Sequence, residues 1–224
     1  MGIVYIYILM SLNKNTGILI DRAINELRTG RPIVLGEKGN YWIFYNIEHA
    51  TKTIINQFKT IQDKETYLLI TKQKAKQLSP NKLNANIFFQ VSSNFNHSKF
   101  QDLFLNPANK TNKLNLKNLN LTKSKLFHNY ALDLSKNAKL IPSLIFKKIK
   151  SKFNEEIDST LFDMGLLKFK YSDLVNQNKH ISDSIKLVSS ANVPLPYVED
   201  SSFHVYKPYI GSHHHMVLVN NPTT

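Results

Sequence analysis

Three groups of side chains in this chain are of types that could do chemistry. His213-His214-His215 places three imidazoles side by side. Successive residues of a strand face opposite ways, so two of the three could meet a metal on one side. The run, flanked by Gly211-Ser212 and Met216, reads instead as an exposed turn entering a strand. Glu155, Glu156 and Asp158 offer three carboxylates for acid–base work, but neighbouring helical positions face apart, as on a solvated helix. Trp42, set among Tyr41, Phe44 and Tyr45, could stack a base or pack a core. The chain has no cysteine, which removes disulfides, thiol nucleophiles and Cys-ligated zinc. With only seven glycines it shows no phosphate-cradling loop, no nucleophile elbow and no Ser/His/Asp signature. No residue is therefore assigned a catalytic, cofactor-binding or metal-binding role.

The net charge of +13 is carried by Lys: Arg occurs only at positions 22, 28 and 31. Lys and Asn abound together, a bias that resembles an AT-rich coding sequence. Arg, the residue favoured for bidentate phosphate and base contacts, is nearly absent. Between Lys110 and Lys152 there are eleven Lys against the single acid Asp133, a net +10 of the +13. Such a run reads as a solvated face or connection, and it lacks the interleaved aromatics of a nucleic-acid stripe.

The elements that would position these groups alternate in type. Asp21 to Arg28 reads as a short helix with an Ala23/Ile24/Leu27 stripe and Gly30 in the C′ position. Ile33-Val-Leu is a strand, Gly36-Glu-Lys-Gly-Asn a turn, and Tyr41 to Tyr45 a strand hydrophobic enough to be buried on both faces. Helical patterns follow at Ala50 to Ile61 and Lys72 to Leu78, with strands at Tyr67 to Thr71 and Asn86 to Val91. Ala131 to Pro142 reads as helix, Ser143 to Phe146 as strand, Asn154 to Met164 as helix and Leu166 to Phe169 as strand. Asp183 onward reads as a linker into Pro194 and Pro196, before extended runs at Ser202 to Lys207 and His215 to Val219. The pattern predicts an α/β (α+β) fold.

Four segments are expected. They are an apolar N-terminal extension (1–15), an α/β domain (16–130) containing the Lys/Asn-rich stretch 110–125, a helix/strand region completing it and linking onward (131–190), and a final piece (191–224). The N-terminal apolar run is too short to span a bilayer, which takes about 20 residues, and lacks a basic n-region; Ile6 stands where myristoylation wants Ser or Thr. A soluble, cytoplasmic protein without membrane contact is expected. Two strands paired only with each other lack a second layer, so the final piece looks like the opening of a larger domain.

In order along the chain, these segments resemble the long form of GTP cyclohydrolase II found in alphaproteobacteria, a riboflavin-pathway enzyme. Asp21 to Leu35 resembles "RAxxELRxGRPVVL", and Tyr67 to Leu78 resembles "LxLTxxRAxxL" with Lys74 where Arg is usual. Ala131 to Pro142 is similar to "ALxLAKLAxLLP", Val188 to Leu195 to "VSEAxVPL", and Phe203 to Pro222 to "FRPxDGGxEHLALVIGxP", with His215 at the His. The resemblance implies an N-terminal region with the fold of 3,4-dihydroxy-2-butanone 4-phosphate synthase. That enzyme's acidic "DDEDRENEGD" loop holds magnesium and the sugar phosphate. The matching turn here, Gly36 to Trp42, offers one carboxylate, Glu37, beside Lys38, so synthase activity is not expected.

The resemblance also implies the family reaction, GTP hydrolysis to 2,5-diamino-6-ribosylamino-pyrimidinone phosphate, formate and diphosphate. Its zinc is held by three cysteines of "RxHSExxTGDxxGSxxCDCG", following the point that matches Pro222. None of those residues is present, so a degenerate synthase-like domain followed by the first strands of a cyclohydrolase domain is expected, catalytically incompetent alone. A separately encoded catalytic half and a second copy in a homodimer are the partners this leaves open. The competing readings are a non-catalytic interaction module and, less favoured, a basic nucleic-acid binder.

Overall fold

The computed structural model describes residues 17–37, 39–78, 85–91, 104–105, 121–175, 177–198, 200–208 and 212–220. The expectations for 1–15 and for most of the Lys/Asn-rich stretch 110–125 lie outside the described residues. The chain divides into two units, Met1–Val175 and Asn176–Thr224. No helix among the described residues is long and apolar enough to cross a membrane.

The first unit is a mixed α/β fold built on a seven-stranded sheet. Its strands are β1 (Ile33–Glu37), β2 (Asn40–Asn46), β3 (Thr66–Ile70), β4 (Ile87–Val91), β5 (Leu121–Lys123), β6 (Ser143–Lys148) and β7 (Leu167–Phe169), in the spatial order β5-β4-β3-β6-β2-β1-β7. The alternation of elements had pointed to α/β units, yet every ladder is antiparallel except β1 with β7. For the first ladder the reason is local: Glu37 pairs with Asn40, so the connection is a tight hairpin and β2 must run back along β1.

Helices lie on both faces. Helix α1 (17–28) begins four residues before the expected start and buries Ile20, Ala23, Ile24 and Leu27 along one stripe. It ends as its sequence predicts: Gly30 has φ +81, its N–H donates to Leu27 O (3.1 Å), and Arg31 N–H donates to Glu26 O (2.9 Å). That pair of bonds is a Schellman cap. Helix α2 (Lys52–Gln57) is capped by the Thr51 hydroxyl, which accepts from Ile54 N–H (3.2 Å). The predicted helix to Ile61 stops short because Gln62 Nε2 donates to Ile55 O (2.8 Å), taking a carbonyl the next turn would need. Helices α3 (Lys72–Leu78), α4 (Leu126–Asn137) and α5 (Ile157–Asp163) follow.

Side-chain alternation sorts the sheet into two apolar layers. Ile43, Tyr45, Leu68, Ile70, Ile87, Phe89 and Ile145 form one cluster with Ile55, Ala75 and Leu161 from α2, α3 and α5. Phe44, Leu69, Leu144 and Phe146 are buried on the other face. There Asn46 Nδ2 donates to Ser135 Oγ of α4 (3.3 Å) and to Ile141 O (2.9 Å). Arg28 ties α1 to the end of α4 through Nε to Ala138 O (3.1 Å).

The second unit holds α6 (Gln177–Asp183) and a three-stranded antiparallel sheet in the order β10-β9-β8: β8 (Lys186–Asn192), β9 (Ser201–Lys207) and β10 (His214–Val219). The expected linker after Asp183 is thus a strand. β8 is exposed along its whole length, so pairing with β9, not burial, holds it there, with a register shift between Leu187 and Ser189. The tail is a three-stranded sheet, where two strands were expected.

Candidate functional site

The place where the resemblance puts a carboxylate loop is the β1–β2 hairpin. Gly36 is required there: a Cβ would sit 2.7 Å from Tyr41 Cα. Gly39, at φ +79, supplies the left-handed residue that a two-residue turn needs. The Glu37 side chain lies outside the described residues. Among the described residues no three His, Asp or Glu side chains converge in a way that could hold a metal. The three-cysteine zinc centre of the resembling family has no ligands in this chain. The residues present do not fit either metal group.

A different concentration of chemistry lies on the α4 side of the sheet. Trp42 of β2, Tyr67 of β3, Phe88 of β4 and Phe146 of β6 project from one face. Trp42 meets Tyr67 edge-on at 5.3 Å between ring centres and Phe88 edge-on at 6.0 Å. Tyr67 and Phe88 are parallel at 5.1 Å. Onto Phe88 stacks the imidazole of His128, at 4.0 Å and 21°. Phe127 continues the row to Tyr171, at 4.7 Å. Trp42, Tyr67 and Phe88 are half-buried, whereas His128 is buried at 3 % exposure.

The first turn of α4 presents His128. Lys125 is the N-cap, and its side chain has no acceptor for the free N–H groups of the first turn; His128, at the third helical position, reaches back instead. Its Nδ1 accepts from Lys125 N–H (3.0 Å). This fixes the tautomer: the neutral ring carries its proton on Nε2. Burial pushes the His128 pKa down to about 3, and the Lys125 charge adds to the shift. Nε2–H of His128 and Nε1–H of Trp42 are both buried and have no hydrogen-bond partner among the described residues. At the rim Tyr67 Oη donates to Glu65 (2.7 Å); burial first, then that carboxylate, push its pKa up to about 12.

The residues singled out in the sequence are scattered by the fold. The aromatic run of β2 splits by alternation. Trp42 joins the cluster just described, while Tyr45 enters the opposite core, donates to Gln62 Oε1 (2.9 Å), and has its pKa raised by burial. Glu156 stands at the N-cap position of α5 without a side-chain cap bond, Asp158 pairs with Lys168, and Glu155 is exposed, so no carboxylate pair forms. His214 and His215 point to opposite faces of β10, and His215 stacks on Phe203 at 5.5 Å. Of the basic run, Lys136 pairs with Asp133 (2.8 Å) and Lys147 is buried. Lys147 Nζ donates to Thr66 Oγ1 (2.9 Å), Lys64 O and Glu65 O, and desolvation lowers its pKa. These lysines do not make one stripe. His128 was missed because the helical reading began at Ala131; its signal was its place three residues after a cap residue with no acceptor.

No protein-family model matches the chain, and no curated protein matches it in sequence. Solved structures do match. A two-domain 3,4-dihydroxy-2-butanone 4-phosphate synthase from A. baumannii superposes with a TM-score of 0.54 at 12% identity, covering 84% of this chain and 66% of that one. The 3,4-dihydroxy-2-butanone 4-phosphate synthase of Candida albicans gives a TM-score of 0.52 at 12% identity, covering 70% of this chain and 95% of that one. The chain thus spans just under two thirds of the two-domain enzyme's length, and at this identity what is shared with both is the fold of the synthase.

Proposed function

We propose that this chain is a GTP cyclohydrolase II-related protein of riboflavin biosynthesis in which the synthase-fold unit is a folded, non-catalytic module. The observation that carries the reading is the β1–β2 hairpin: its two-residue loop stands where the synthase reaction needs a run of carboxylates. An enolising, metal-assisted reaction requires several oxygens converging on one cation. The fold likeness to two synthases supports the pathway, and the ordered motif resemblance supports the cyclohydrolase relationship. Without cysteine these 224 residues supply no ligands of the cyclohydrolase zinc, so they do not perform that chemistry by themselves.

The test is to assay the purified chain for two products. One is formate from GTP with zinc supplied; the other is 3,4-dihydroxy-2-butanone 4-phosphate from its sugar-phosphate precursor with magnesium supplied. Neither should rise above the blank in a preparation that melts cooperatively. Turnover of either substrate would overturn the proposal.

A further inference from the structure

Two buried N–H donors without acceptors meet one ring cluster. With Nδ1 of His128 engaged by Lys125 N–H, Nε2–H lies at the other edge of an imidazole that is stacked on Phe88, and it has no acceptor among the described residues. The indole N–H of Trp42 is the second orphan. Both rings neighbour Phe88, at 4.0 Å and 6.0 Å, and Phe146, at 5.6 Å and 6.4 Å. Buried donors are normally satisfied, and two unsatisfied ones in the same cluster define what is missing: acceptors. The surroundings define the rest. Trp42, Tyr67 and Phe88 are half-buried and offer ring faces and edges to a planar guest. Lys148, the exposed register partner of Trp42, and Lys125, whose charge reaches His128, bring positive charge to the same region; Glu65 at the Tyr67 hydroxyl is the opposing one.

We propose that this cluster binds a phosphorylated planar heteroaromatic compound of nucleotide type. Its ring stacks among Trp42, Tyr67 and Phe88, its ring carbonyls accept from His128 Nε2–H and Trp42 Nε1–H, and its phosphate is drawn to Lys148. The inference does not depend on the pathway reading above. A sugar phosphate alone would leave the aromatic walls unused, and an unphosphorylated ring would leave the cations unused. Both donors are uncharged N–H groups, His128 being held neutral by burial, which suits a carbonyl oxygen. Admission requires the half-buried Trp42 and Tyr67 rings to turn aside, so binding must change the surroundings of the indole.

Trp42 is the only tryptophan in the chain, so its fluorescence reports this site alone. The purified protein is titrated with GMP and with FMN, and with ribose 5-phosphate as the probe that has phosphate but no ring. At least one ring compound should change the Trp42 signal saturably, and ribose 5-phosphate should not at the same concentrations. His128→Phe should weaken that binding roughly five- to tenfold, the value of one hydrogen bond. Lys148→Glu, at an exposed position, should weaken it at least about threefold by reversing a rim charge, and more at low salt than at high. Circular dichroism melts confirm that the variants fold, and Lys148→Glu stands as the test if His128→Phe does not. No saturable response to either ring compound would overturn the proposal. So would equal binding of ribose 5-phosphate, or wild-type affinity in folded variants.

Discussion

Replacing His128 by Phe should remove a defined piece of the acid sensitivity of the first unit. In the folded protein the imidazole is buried among Phe88, Phe127 and Phe146, and its pKa is pushed down to about 3. In the unfolded chain it returns to the ordinary value of 6.5. Between those limits the unfolded state binds the extra proton, so stability is complete above pH 6.5 and falls as pH drops toward 3. At pH 5 the loss relative to pH 7.5 is about 2 kcal/mol, with a ceiling between about 4 and 5 kcal/mol near the lower limit. For a unit of this size about 2 kcal/mol corresponds to a Tm lower by roughly 4–8 °C. His128→Phe keeps an aromatic ring beside Phe88 and gives up the bond to Lys125 N–H, so at pH 7.5 it should lie within about 1 kcal/mol of the parent. Urea titrations followed by circular dichroism at pH 7.5 and 5.0 measure the difference directly. The other histidines are common to both proteins and cancel. An identical pH slope in parent and variant would refute the claim that His128 is held neutral in the folded state.

Four further substitutions test the scaffold around the site, each by equilibrium denaturation at neutral pH. Gly36→Ala should cost about 1–3 kcal/mol, because its Cβ would press on the backbone of Tyr41 in the β1–β2 hairpin. Gly39→Ala should cost roughly 1–2 kcal/mol, through its positive φ. Tyr45→Phe should cost about 1–3 kcal/mol, since it leaves the buried Gln62 Oε1 without its donor. Asn46→Leu should cost roughly 2–4 kcal/mol: Asn46 bridges β2 to Ser135 of α4 and to Ile141 O, while its Oδ1 accepts from Glu48 N–H (3.0 Å).

What was legible in the sequence was local. The Gly30 stop of α1 needs only the last helical turn and the next two residues, and it forms as expected. The Gly36-to-Asn40 turn likewise sets its own geometry, so the mismatch between a short hairpin and a carboxylate loop could be seen before any coordinates. Strand order could not, because β6 enters between β2 and β3 through pairings far apart in the chain, such as Phe44 with Phe146 and Tyr67 with Phe146. β8 was illegible for a third reason. Lys186-Leu-Val-Ser-Ser-Ala-Asn buries neither face, so it carries no alternation to read, and only the ladder to β9 holds it.

The candidate site combines these difficulties. Trp42, Tyr67, Phe88 and His128 come from four separate elements, and each alone reads as an ordinary core aromatic or a helix-start residue. Their significance is relational: a cap bond engages Nδ1 and leaves Nε2–H of His128 without an acceptor among the described residues, while strand alternation sends Trp42, with a second unpartnered N–H, to the same cluster of rings. A close-packed core would have removed such donors, because an apolar ring fills the same space without stranding an N–H group. On the proposed reading, their presence beside half-buried rings marks a surface that receives a guest.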